Sequence, residues 1–357
     1  MAPSFKPFTG SPALSCRVQG ASPRAATERA SAQSERTILQ MILTVTLNVA
    51  IDKAYRVDEL RPGTVMRVRE CSYTAGGKGL NVTKVAKIAG AQVLATGFAG
   101  GHAGAYVIGQ LEQKDIANDF VVVEGETRSC VNVIDAKTGC QTEFLEPGFT
   151  VTGKDVDAFR RKFDTLLEKA DVVTFSGSVP LGCPDTIYAE LIGQAKAKGK
   201  KVILDSSGRL LQNGLGATPT LMKPNGDEIA ALTGKSAQNK RSLARRAREL
   251  HERGVEFVVI SLGRDGALLY CDEGLFRGTT PDIPVVNTVG CGDSMVAAFA
   301  VGFERGCPAA ELLRYGLAVS TANALTMETG FFRPEDLGRL LGMCKTEKIT
   351  NDAMLGE

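Results

Sequence analysis

The sequence predicts an α/β protein built on a mostly parallel β-sheet with helices on both faces. The main observation is that short β-rich segments alternate with amphipathic helical patterns from residue 41 onward. This alternation is typical of parallel sheets, because a crossover helix must link each strand to the next. Two segments, 55–73 and 120–145, break the rhythm and predict a small antiparallel sheet beside the main one.

Apolar runs and helical spacing give the individual elements of this prediction. The predicted strands are 42–47, 93–98, 172–176, 202–205, 221–223 and 257–261. The predicted helices are 79–89, 103–114, 156–169, 184–196, 242–253, 294–304 and 311–326. Near-continuous apolar strands of this kind are buried on both faces, which is the usual state of a parallel sheet.

Charge and residue usage exclude several classes of function. The 357 residues include 42 Lys and Arg against 40 Asp and Glu, so we expect neither nucleic acid nor a membrane as a partner. No apolar run reaches the roughly 18 residues of a transmembrane helix. The 9 cysteines form no CxxC pair, which is typical of reduced thiols and a cytoplasmic chain. With only His102 and His251, histidine-based catalysis is not expected.

Residues 1–40 differ from the rest of the chain. They are rich in Ser, Ala, Pro and Arg without apolar periodicity, so we expect a disordered and dispensable N-terminal extension. Met41 directly precedes the first predicted strand, which favours an overextended start or an expression remnant before a domain over 41–357. A transit peptide is the alternative, although Glu28 and Glu35 weaken it.

A glycine-rich loop meets a helix in the stretch VGCGDSMVAAF. Gly290, Cys291 and Gly292 would leave backbone N–H groups free at a helix N-terminus, where they can stabilise a transferred phosphoryl group. Asp293 beside them could accept the proton of an attacking hydroxyl group. The alternative is that Asp293 is an ordinary helix N-cap, which its residue type and position also favour.

Two motifs near the start of the domain indicate a ligand site. In TAGGKGLN, Gly76 and Gly77 allow close backbone approach and Lys78 adds charge before a helix, although a structural turn is the alternative. The phosphate-binding pattern G-x-x-x-x-G-K-[ST] is absent. Asp52 follows the first strand, where ligands of open α/β sheets bind, so it could accept hydrogen bonds from ligand hydroxyl groups or merely cap a turn.

Later strand ends carry further polar residues. Arg128 opens an extended segment, and its guanidinium suits phosphate recognition, although a surface arginine is the alternative. Ser178 follows another strand in FSGSVP. In LMKPNGDEI, Lys223, Asn225 and Glu228 could hold phosphate and Mg²⁺, or Asn225 and Glu228 could simply cap a helix. The stretch SLGRDGALLY is a glycine turn between two strands.

The order of these motifs resembles that of the PfkB, or ribokinase-like, family of carbohydrate kinases. The motifs GGKGLN, SGSVP, KPNGDE, SLGRDGA and VGCGDS follow one another as in that family, over about residues 41–330. The resemblance implies a ribokinase-like three-layer sandwich. It also implies a small β-rich lid over the substrate, formed by the segments near 55–73 and 120–145.

The resemblance also implies a role for each matching residue. Asp293 would be the catalytic base, with Gly290, Cys291 and Gly292 as its anion hole. The sugar would be bound by Asp52, Gly76, Gly77, Lys78, Asn81, Arg128 and Ser178. ATP would be bound by Lys223, Asn225, Ser261, Gly263, Gly266, Gly292 and Asn323. Glu228 would organise Mg²⁺, so ATP and Mg²⁺ are the expected cofactors.

Four stretches look like the family members that act on phosphorylated ketohexoses, the tagatose-6-phosphate kinases and 1-phosphofructokinases. They are MILTVTLN, TAGGKGLNV, GETRSC and QTEFLEPG. Arg128 and Lys78 would then supply charge for the phosphate group of the substrate. The implied reaction is phosphoryl transfer from ATP to a ketohexose monophosphate, which gives the bisphosphate. Lids of this family often pair, so the resemblance also implies a homodimer through the lid.

Two other functions stay open. One is a kinase for an unphosphorylated sugar or a nucleoside on the same fold, and Arg128 and Lys78 argue against it. The other is a non-catalytic sugar-phosphate-binding protein, and Asp293 argues against that. Cys291 stands where Ala or Ser is usual, and Asn287 stands where ribokinases often have Asp, so a monovalent-cation site is not implied.

Overall fold

The computed structural model describes residues 41–235 and 239–350, so the predicted extension 1–40 lies outside the described residues. The strands, in chain order, are β1 (Met41–Thr46), β2 (Ala50–Val57), β3 (Glu70–Gly76), β4 (Gln92–Gly100), β5 (Ala117–Asn118), β6 (Val121–Val123), β7 (Arg128–Asp135), β8 (Gln141–Leu145), β9 (Val172–Ser176), β10 (Lys201–Asp205), β11 (Leu221–Met222), β12 (Phe257–Ser261), β13 (Ala267–Cys271), β14 (Gly274–Thr279) and β15 (Lys345–Ile349).

The helices alternate with these strands along the chain. They are α1 (Lys78–Ile88), α2 (Gly101–Gln113), α3 (Gly153–Leu167), α4 (Ile187–Ala197), α5 (Gly208–Gly216), α6 (Gly226–Thr233), α7 (Lys240–Glu252), α8 (Cys291–Glu304), α9 (Ala309–Ala324) and α10 (Pro334–Met343), with a 3₁₀ turn at Gly263–Asp265. Within the described part of the chain, no helix combines the length and the apolar character needed to cross a bilayer.

The main sheet is mostly parallel, as the sequence predicts. Its strand order is β15-β14-β13-β12-β11-β10-β9-β1-β4-β5, with β6 also paired to β4. The pairings from β12 to β15 are antiparallel, and the others are parallel. The antiparallel strands close one edge of the sheet, where the charged strand β15 is outermost.

Helices cover both faces of the main sheet and make three layers. On β1, Leu43 and Val45 pack into one core and Ile42 into the other, because successive side chains of a strand point to opposite faces. One core is shared with α1, α2, α8, α9 and α10, and the other with α3 to α7. Helix α8 is buried along nearly its whole length, which explains why its sequence is apolar on every side.

A row of aromatic rings fills the core that contains α3. The ring centroids of Phe98 and Phe159 are 5.2 Å apart, and those of Phe163 and Phe175 are 5.7 Å apart. Tyr188 continues the row at 5.5 Å from Phe175. Such tilted pairs each contribute roughly 0.5–1.5 kcal/mol beyond their burial, so this row fixes α3 and α4 firmly against the sheet.

The second sheet, here called the lid sheet, has the strand order β3-β2-β7-β8. It matches the predicted small sheet, but its pairing is mixed. The β2–β3 and β7–β8 pairs are antiparallel, whereas β2 and β7 run parallel, so the expectation of a wholly antiparallel sheet is wrong. A parallel pair requires a long connection between its strands. Here that connection contains α1, β4 and α2.

The six predicted strands and the seven predicted helices are all present, and no bound differs by more than three residues. The lid sheet begins earlier than predicted, at the start of β2. The first part of the predicted lid segment 120–145 belongs instead to the main sheet, because β6 pairs with β4. The sequence missed β15 because its residues, KTEKI, show no apolar alternation.

Candidate active site

The carboxyl ends of the parallel strands β1, β9, β10 and β11 meet at one edge of the main sheet. The lid sheet faces this edge across a cavity of about 910 Å³. Ten residues that the sequence assigned to a site line this cavity: Asp52, Gly77, Lys78, Asn81, Arg128, Ser178, Lys223, Gly290, Gly292 and Asp293. The cavity therefore brings together motifs that lie far apart in the chain.

Asp293 lies in the first turn of α8, at the bottom of the cavity. The N-cap of this helix is Gly290, so the alternative that Asp293 is the N-cap is wrong. Only 6% of Asp293 is exposed, and its Oδ2 accepts a hydrogen bond of 2.9 Å from Asn81 Nδ2. Burial raises the pKa of Asp293 to about 6, in spite of the nearby Lys78 ammonium, which lowers it. This carboxylate is ionised at neutral pH and is a better proton acceptor than an ordinary Asp.

The loop before α8 presents backbone N–H groups to the cavity. Gly290 has a φ of 82°, a left-handed conformation that favours glycine. A Cβ at this position would lie 2.9 Å from Thr329 Cγ2 and 3.0 Å from Gly330 N, so the loop can pack here only without a side chain. Because the helix dipole also points at this spot, the loop is suited to bind an anion.

A buried carboxylate links two lysines beside Asp293. Asp205, which ends β10 and is 3% exposed, lies 3.2 Å from Lys223 Nζ and 4.0 Å from Lys78 Nζ. Burial alone would raise the pKa of Asp205, but the two ammonium groups more than offset this, and its net shift is downward. Asp205 therefore stays ionised and holds both lysines at one wall of the cavity.

Sequence reasoning missed Asp205, although a signal for it was present. It is a carboxylate at the end of a predicted buried strand, as Asp52 is close to the end of β1. The rule that ligands bind beyond the carboxyl ends of parallel strands applies equally to both.

Asp52 lines the cavity from β2 of the lid sheet. Its carboxylate packs over Gly76, where a Cβ would lie 2.1 Å from Asp52 Cγ, so only glycine fits there. Burial raises the pKa of Asp52, against the lowering effects of Lys84, of a hydrogen bond from the Gly77 N–H and of Arg128. Asp52 is thus a hydrogen-bond acceptor held at a fixed place in the cavity wall.

Arg128 opens β7 and also faces the cavity. Its Nη1 donates to the Glu146 carbonyl oxygen at 3.2 Å, and its Nη2 donates to the Asn48 carbonyl oxygen at 3.1 Å. Asn48 in turn donates through Nδ2 to Ser178 Oγ at 3.4 Å. These contacts fix the guanidinium on the lid side of the cavity, near Ser178.

Asn225 and Glu228 form the capping box that the sequence left open as an alternative. Asn225 Oδ1 accepts from Glu228 N at 2.8 Å, and Glu228 Oε2 accepts from Asn225 N at 2.9 Å. Neither residue lines the cavity. The charge of Glu228 nevertheless reaches it, because Glu228 contributes to raising the pKa of Lys78.

The remaining predicted nucleotide residues lie around the cavity rather than in its wall. Ser261 ends β12, and Gly263 and Gly266 belong to the turn that follows it. Strand β12 pairs with β11. Asn323 is fully buried, and its Oδ1 accepts hydrogen bonds from Ser294 Oγ and Gly330 N, both at 3.1 Å. Asn323 thus positions the loop at Gly330, which packs behind Gly290, and its side chain has no exposed surface to offer a ligand.

Cys291 is the first residue of α8, and its side chain points away from the cavity. Its thiol lies 3.5 Å from Asn323 Nδ2, and burial raises the pKa of the thiol. The Cys291 N–H donates to the Thr288 carbonyl oxygen at 3.2 Å, so of the three predicted anion-hole residues Cys291 is the one whose N–H is already paired. Its thiol stays protonated at neutral pH because of its raised pKa.

One hydrogen bond joins the lid sheet to the loop before α8. Gln141 Nε2, at the start of β8, donates to Asn287 Oδ1 at 3.4 Å. The same oxygen accepts from Val289 N at 3.0 Å, and Asn287 Nδ2 donates to Met327 O at 3.0 Å. Asn287 therefore connects the lid sheet with the loop that precedes α8.

The fold and the site together are those of a phosphotransferase that is built on an open α/β sheet. A helix N-terminus with a glycine loop suits a phosphoryl group, and a buried carboxylate with a raised pKa beside it suits a base. Both lie at the carboxyl edge of a parallel sheet, beneath a small second sheet.

Comparisons with known proteins agree with this class. Residues 44–336 match the pfkB family carbohydrate kinases, and the chain belongs to this family. The chain is 39% identical over 293 residues to a tagatose-6-phosphate kinase from Staphylococcus epidermidis, a match that covers 81% of this chain and 94% of the relative.

Solved structures share the fold. A "possible 1-phosphofructokinase" from Thermotoga maritima has 28% identity and a TM-score of 0.80, covering 87% of this chain and 100% of that one. Phosphofructokinase-2 from Escherichia coli in complex with fructose-6-phosphate has 25% identity and a TM-score of 0.78, covering 85% of this chain and 98% of that one. The resemblance inferred from the motifs is therefore confirmed, as is the ribokinase-like fold.

Proposed function

We propose that this carbohydrate kinase uses ATP to convert a ketohexose monophosphate to the bisphosphate, as tagatose-6-phosphate kinases and 1-phosphofructokinases do. The observation that carries the proposal is one cavity with a buried base and an anion site on one wall and a lid arginine, Arg128, on another. The base and the anion site suit phosphoryl transfer, and the arginine suits a phosphate group already on the sugar.

The reaction begins with the primary or anomeric-carbon hydroxyl of the sugar next to Asp293. Asp293 accepts the hydroxyl proton while the oxygen attacks the γ-phosphorus of ATP. The new P–O bond forms as the bond to the bridging oxygen breaks, and ADP leaves with that electron pair. The N–H groups of Gly290 and Gly292, which line the cavity, and the dipole of α8 stabilise the charge on the transferred group.

Lys78 and Lys223 stabilise the negative charge of the transferred phosphoryl group rather than bind the phosphate already on the sugar. Both ammonium groups contact Asp205, which lies close enough to influence the pKa of Asp293. This placement supports a role for Lys78 at the transferred group, whereas the sequence assigned Lys78 to the substrate phosphate. Arg128 is left as the main charge for that phosphate, while Asp52, Asn81 and Ser178 bind sugar hydroxyl groups.

Carboxylate oxygens near the lysines fit a magnesium ion. Asp205 Oδ2 accepts no hydrogen bond within the described residues, and Glu228 lies in the first turn of α6, the helix that follows β11. No cluster of three or more His, Cys, Asp or Glu residues that could hold a metal occurs within 41–235 and 239–350. Mg²⁺ with ATP fits such a site, because it is usually bound by one or two carboxylates together with phosphates and water. Glu228 and Asp205 would hold it, and bound Mg²⁺ would neutralise phosphate charge.

The lid sheet would exclude water from the reaction, and its surface supports a homodimer. Phe144 of β8 is 57% exposed and Tyr73 of β3 is 45% exposed, and the register of the lid sheet puts both in one cross-strand row. Exposed apolar side chains grouped on one sheet are typical of an interface. A related solved structure is the tetrameric inhibited form of phosphofructokinase-2 from Escherichia coli. Light scattering on the purified chain tests this, and a monomer at micromolar concentration would contradict it.

A substrate panel tests the proposed function. The purified chain is incubated with ATP and Mg²⁺ and with tagatose-6-phosphate, fructose-6-phosphate or fructose-1-phosphate, and ADP formation is measured. Fructose, ribose and adenosine serve as unphosphorylated controls, and Mg²⁺ is omitted in a parallel series. We expect turnover only with a phosphorylated ketohexose and with Mg²⁺. Faster turnover of an unphosphorylated sugar or a nucleoside would reject the proposal, as would binding without turnover.

The pH dependence of kcat should report the ionisation of Asp293. With both substrates saturating, we expect kcat to fall below about pH 6, because the protonated carboxyl group cannot accept the hydroxyl proton. Lys78→Met removes a charge that lowers the pKa of Asp293, so the midpoint of the fall should move to higher pH. A midpoint near the ordinary Asp value of about 3.9 would show that Asp293 is not a buried base.

A further inference from the structure

Lys84 is a buried lysine that the proposed mechanism does not use. It lies on α1, three residues after Asn81, and is only 3% exposed. Its side chain lies behind the cavity wall and does not line the cavity. Burying an ammonium group is costly unless hydrogen bonds and opposite charges compensate, so its partners indicate what it does.

The ammonium group of Lys84 connects two parts of the site. Its Nζ donates to the Ala75 carbonyl oxygen at 3.2 Å and to the Thr329 carbonyl oxygen at 3.1 Å. Ala75 is on β3, directly before Gly76. Thr329 is on the loop after α9, against which Gly290 packs. One side chain therefore joins the wall that supports the sugar site to the loop that supports the anion site.

The sugar side of this connection leads to Asp52. Gly76 is the residue over which the Asp52 carboxylate packs, and Ala75 pairs with Ile51, the neighbour of Asp52, in the lid sheet. Among the positive groups that act on Asp52, Lys84 has the largest effect and Arg128 a smaller one. Lys84 thus holds the backbone beneath Asp52 and also provides the main compensating charge for its carboxylate.

We propose that Lys84 is a positioning residue for the sugar substrate: anchored on the Thr329 carbonyl oxygen, it holds the backbone beneath Asp52 and so keeps that carboxylate in place. This inference rests on the proposed function. It predicts that the sugar phosphate, rather than ATP, loses affinity when the ammonium group is removed. Asp52 would then bind sugar hydroxyl groups less well, whereas the lysines and backbone groups at the nucleotide side would be unaffected.

The charged groups around both residues set the sign of a pH effect. Burial lowers the pKa of Lys84, and Lys114 lowers it further, while the carboxylates of Asp52, Glu328 and Asp293 act to raise it. Burial raises the pKa of Asp52, and Glu143 raises it further. Lys84, a hydrogen bond from the Gly77 N–H and Arg128 act to lower it. Because Lys84 lowers the pKa of Asp52, its removal should raise that pKa. More Asp52 would then be protonated at a given pH, and sugar affinity would be lost at a higher pH than in the wild type.

The test compares Lys84→Met with Lys84→Arg and with Lys87→Met. Lys87 is on the same helix but pairs with the exposed Asp115 on the surface, so it is a matched control. For Lys84→Met we expect KM for the sugar phosphate to rise about tenfold or more, KM for ATP to stay within about twofold, and the acidic fall of kcat/KM to move to higher pH. Lys84→Arg should recover part of the loss, and Lys87→Met should behave like the wild type.

A second measurement separates positioning from general damage to the fold. In an Asp52→Asn background, Lys84→Met should add little further loss of sugar affinity, because residues that act together are not additive. Full additivity, equal rises in both KM values, or an unchanged sugar KM would overturn the proposal. If Lys84→Met fails to fold, Lys84→Gln provides the same comparison. If the wild-type chain turns over no ketohexose phosphate, the proposed function is rejected. The role of Lys84 is then still tested by calorimetry, which measures the affinity of the wild type and of Lys84→Met for the sugar phosphate.

Discussion

Asp293→Asn is expected to lower kcat by about 10²–10⁴-fold, the usual contribution of a positioned base. The amide cannot accept the hydroxyl proton, but it has the same size as the carboxylate. Its oxygen can still accept the hydrogen bond from Asn81 Nδ2, which is 2.9 Å from Asp293 Oδ2. KM for both substrates should therefore change only a few-fold, and steady-state kinetics on purified protein measure both quantities.

The stability of the same variant provides an independent check. The pKa of Asp293 is raised to about 6 in the folded chain from an ordinary value of 3.8, so the folded state binds the proton more tightly than the unfolded state. Stability from this group is present at low pH and is lost as the pH rises through 6. At neutral pH the ionised form costs up to about 3 kcal/mol, since each pKa unit corresponds to about 1.4 kcal/mol. Asp293→Asn removes that cost, so its Tm should equal or exceed that of the wild type.

These two results together distinguish a base from a structural carboxylate. A residue kept for folding would lower Tm when replaced and would leave the rate of the folded fraction intact. A residue kept for catalysis at the expense of stability should do the opposite, as is common at active sites. If Asp293→Asn kept most of its kcat, the proton would have to go elsewhere and the proposed mechanism would be wrong.

Much of the fold follows from local patterns in the sequence. The strands of the main sheet are apolar on both faces and the helices have clear apolar stripes, so periodicity locates both. The capping box at Asn225 and Glu228 could be predicted because it depends on residues three positions apart. The pairing of β2 with β7 could not, because it joins segments separated by more than seventy residues and neither strand encodes its partner.

The candidate site was predictable where its residues follow strand ends or glycine loops. Asp52, Lys223 and Asp293 each follow such a signal, and the structure brings all three to one cavity. Lys84 gave no signal, because a lysine in an amphipathic helix is normally exposed. Only the packing of β3 and the Thr329 loop against α1 buries its ammonium group. Likewise, the burial of Asn323 cannot be read from its position near the end of α9.

Arg128→Ala is expected to raise KM for the ketohexose phosphate by roughly 10–100-fold and to leave KM for ATP nearly unchanged. The guanidinium lines the cavity on the lid side, and a hydrogen bond between charged groups contributes about 1.5–3 kcal/mol. Arg128→Lys should recover only part of the affinity, because an ammonium group lacks the planar fork that matches a phosphate. Kinetics with each substrate varied in turn measure these changes.

Two controls make the result for Arg128 specific. Arg61→Ala removes an exposed lid arginine that pairs with Glu59, and it should leave both KM values unchanged. The loss caused by Arg128→Ala should also depend on the phosphate of the substrate, so any residual activity on the unphosphorylated sugar should be unaffected by the substitution. Arg128 also donates to the Asn48 and Glu146 carbonyl groups. If its role were purely structural, Arg128→Ala would weaken the binding of the phosphorylated and the unphosphorylated sugar equally. That outcome would show that the phosphate of the substrate binds elsewhere in the cavity.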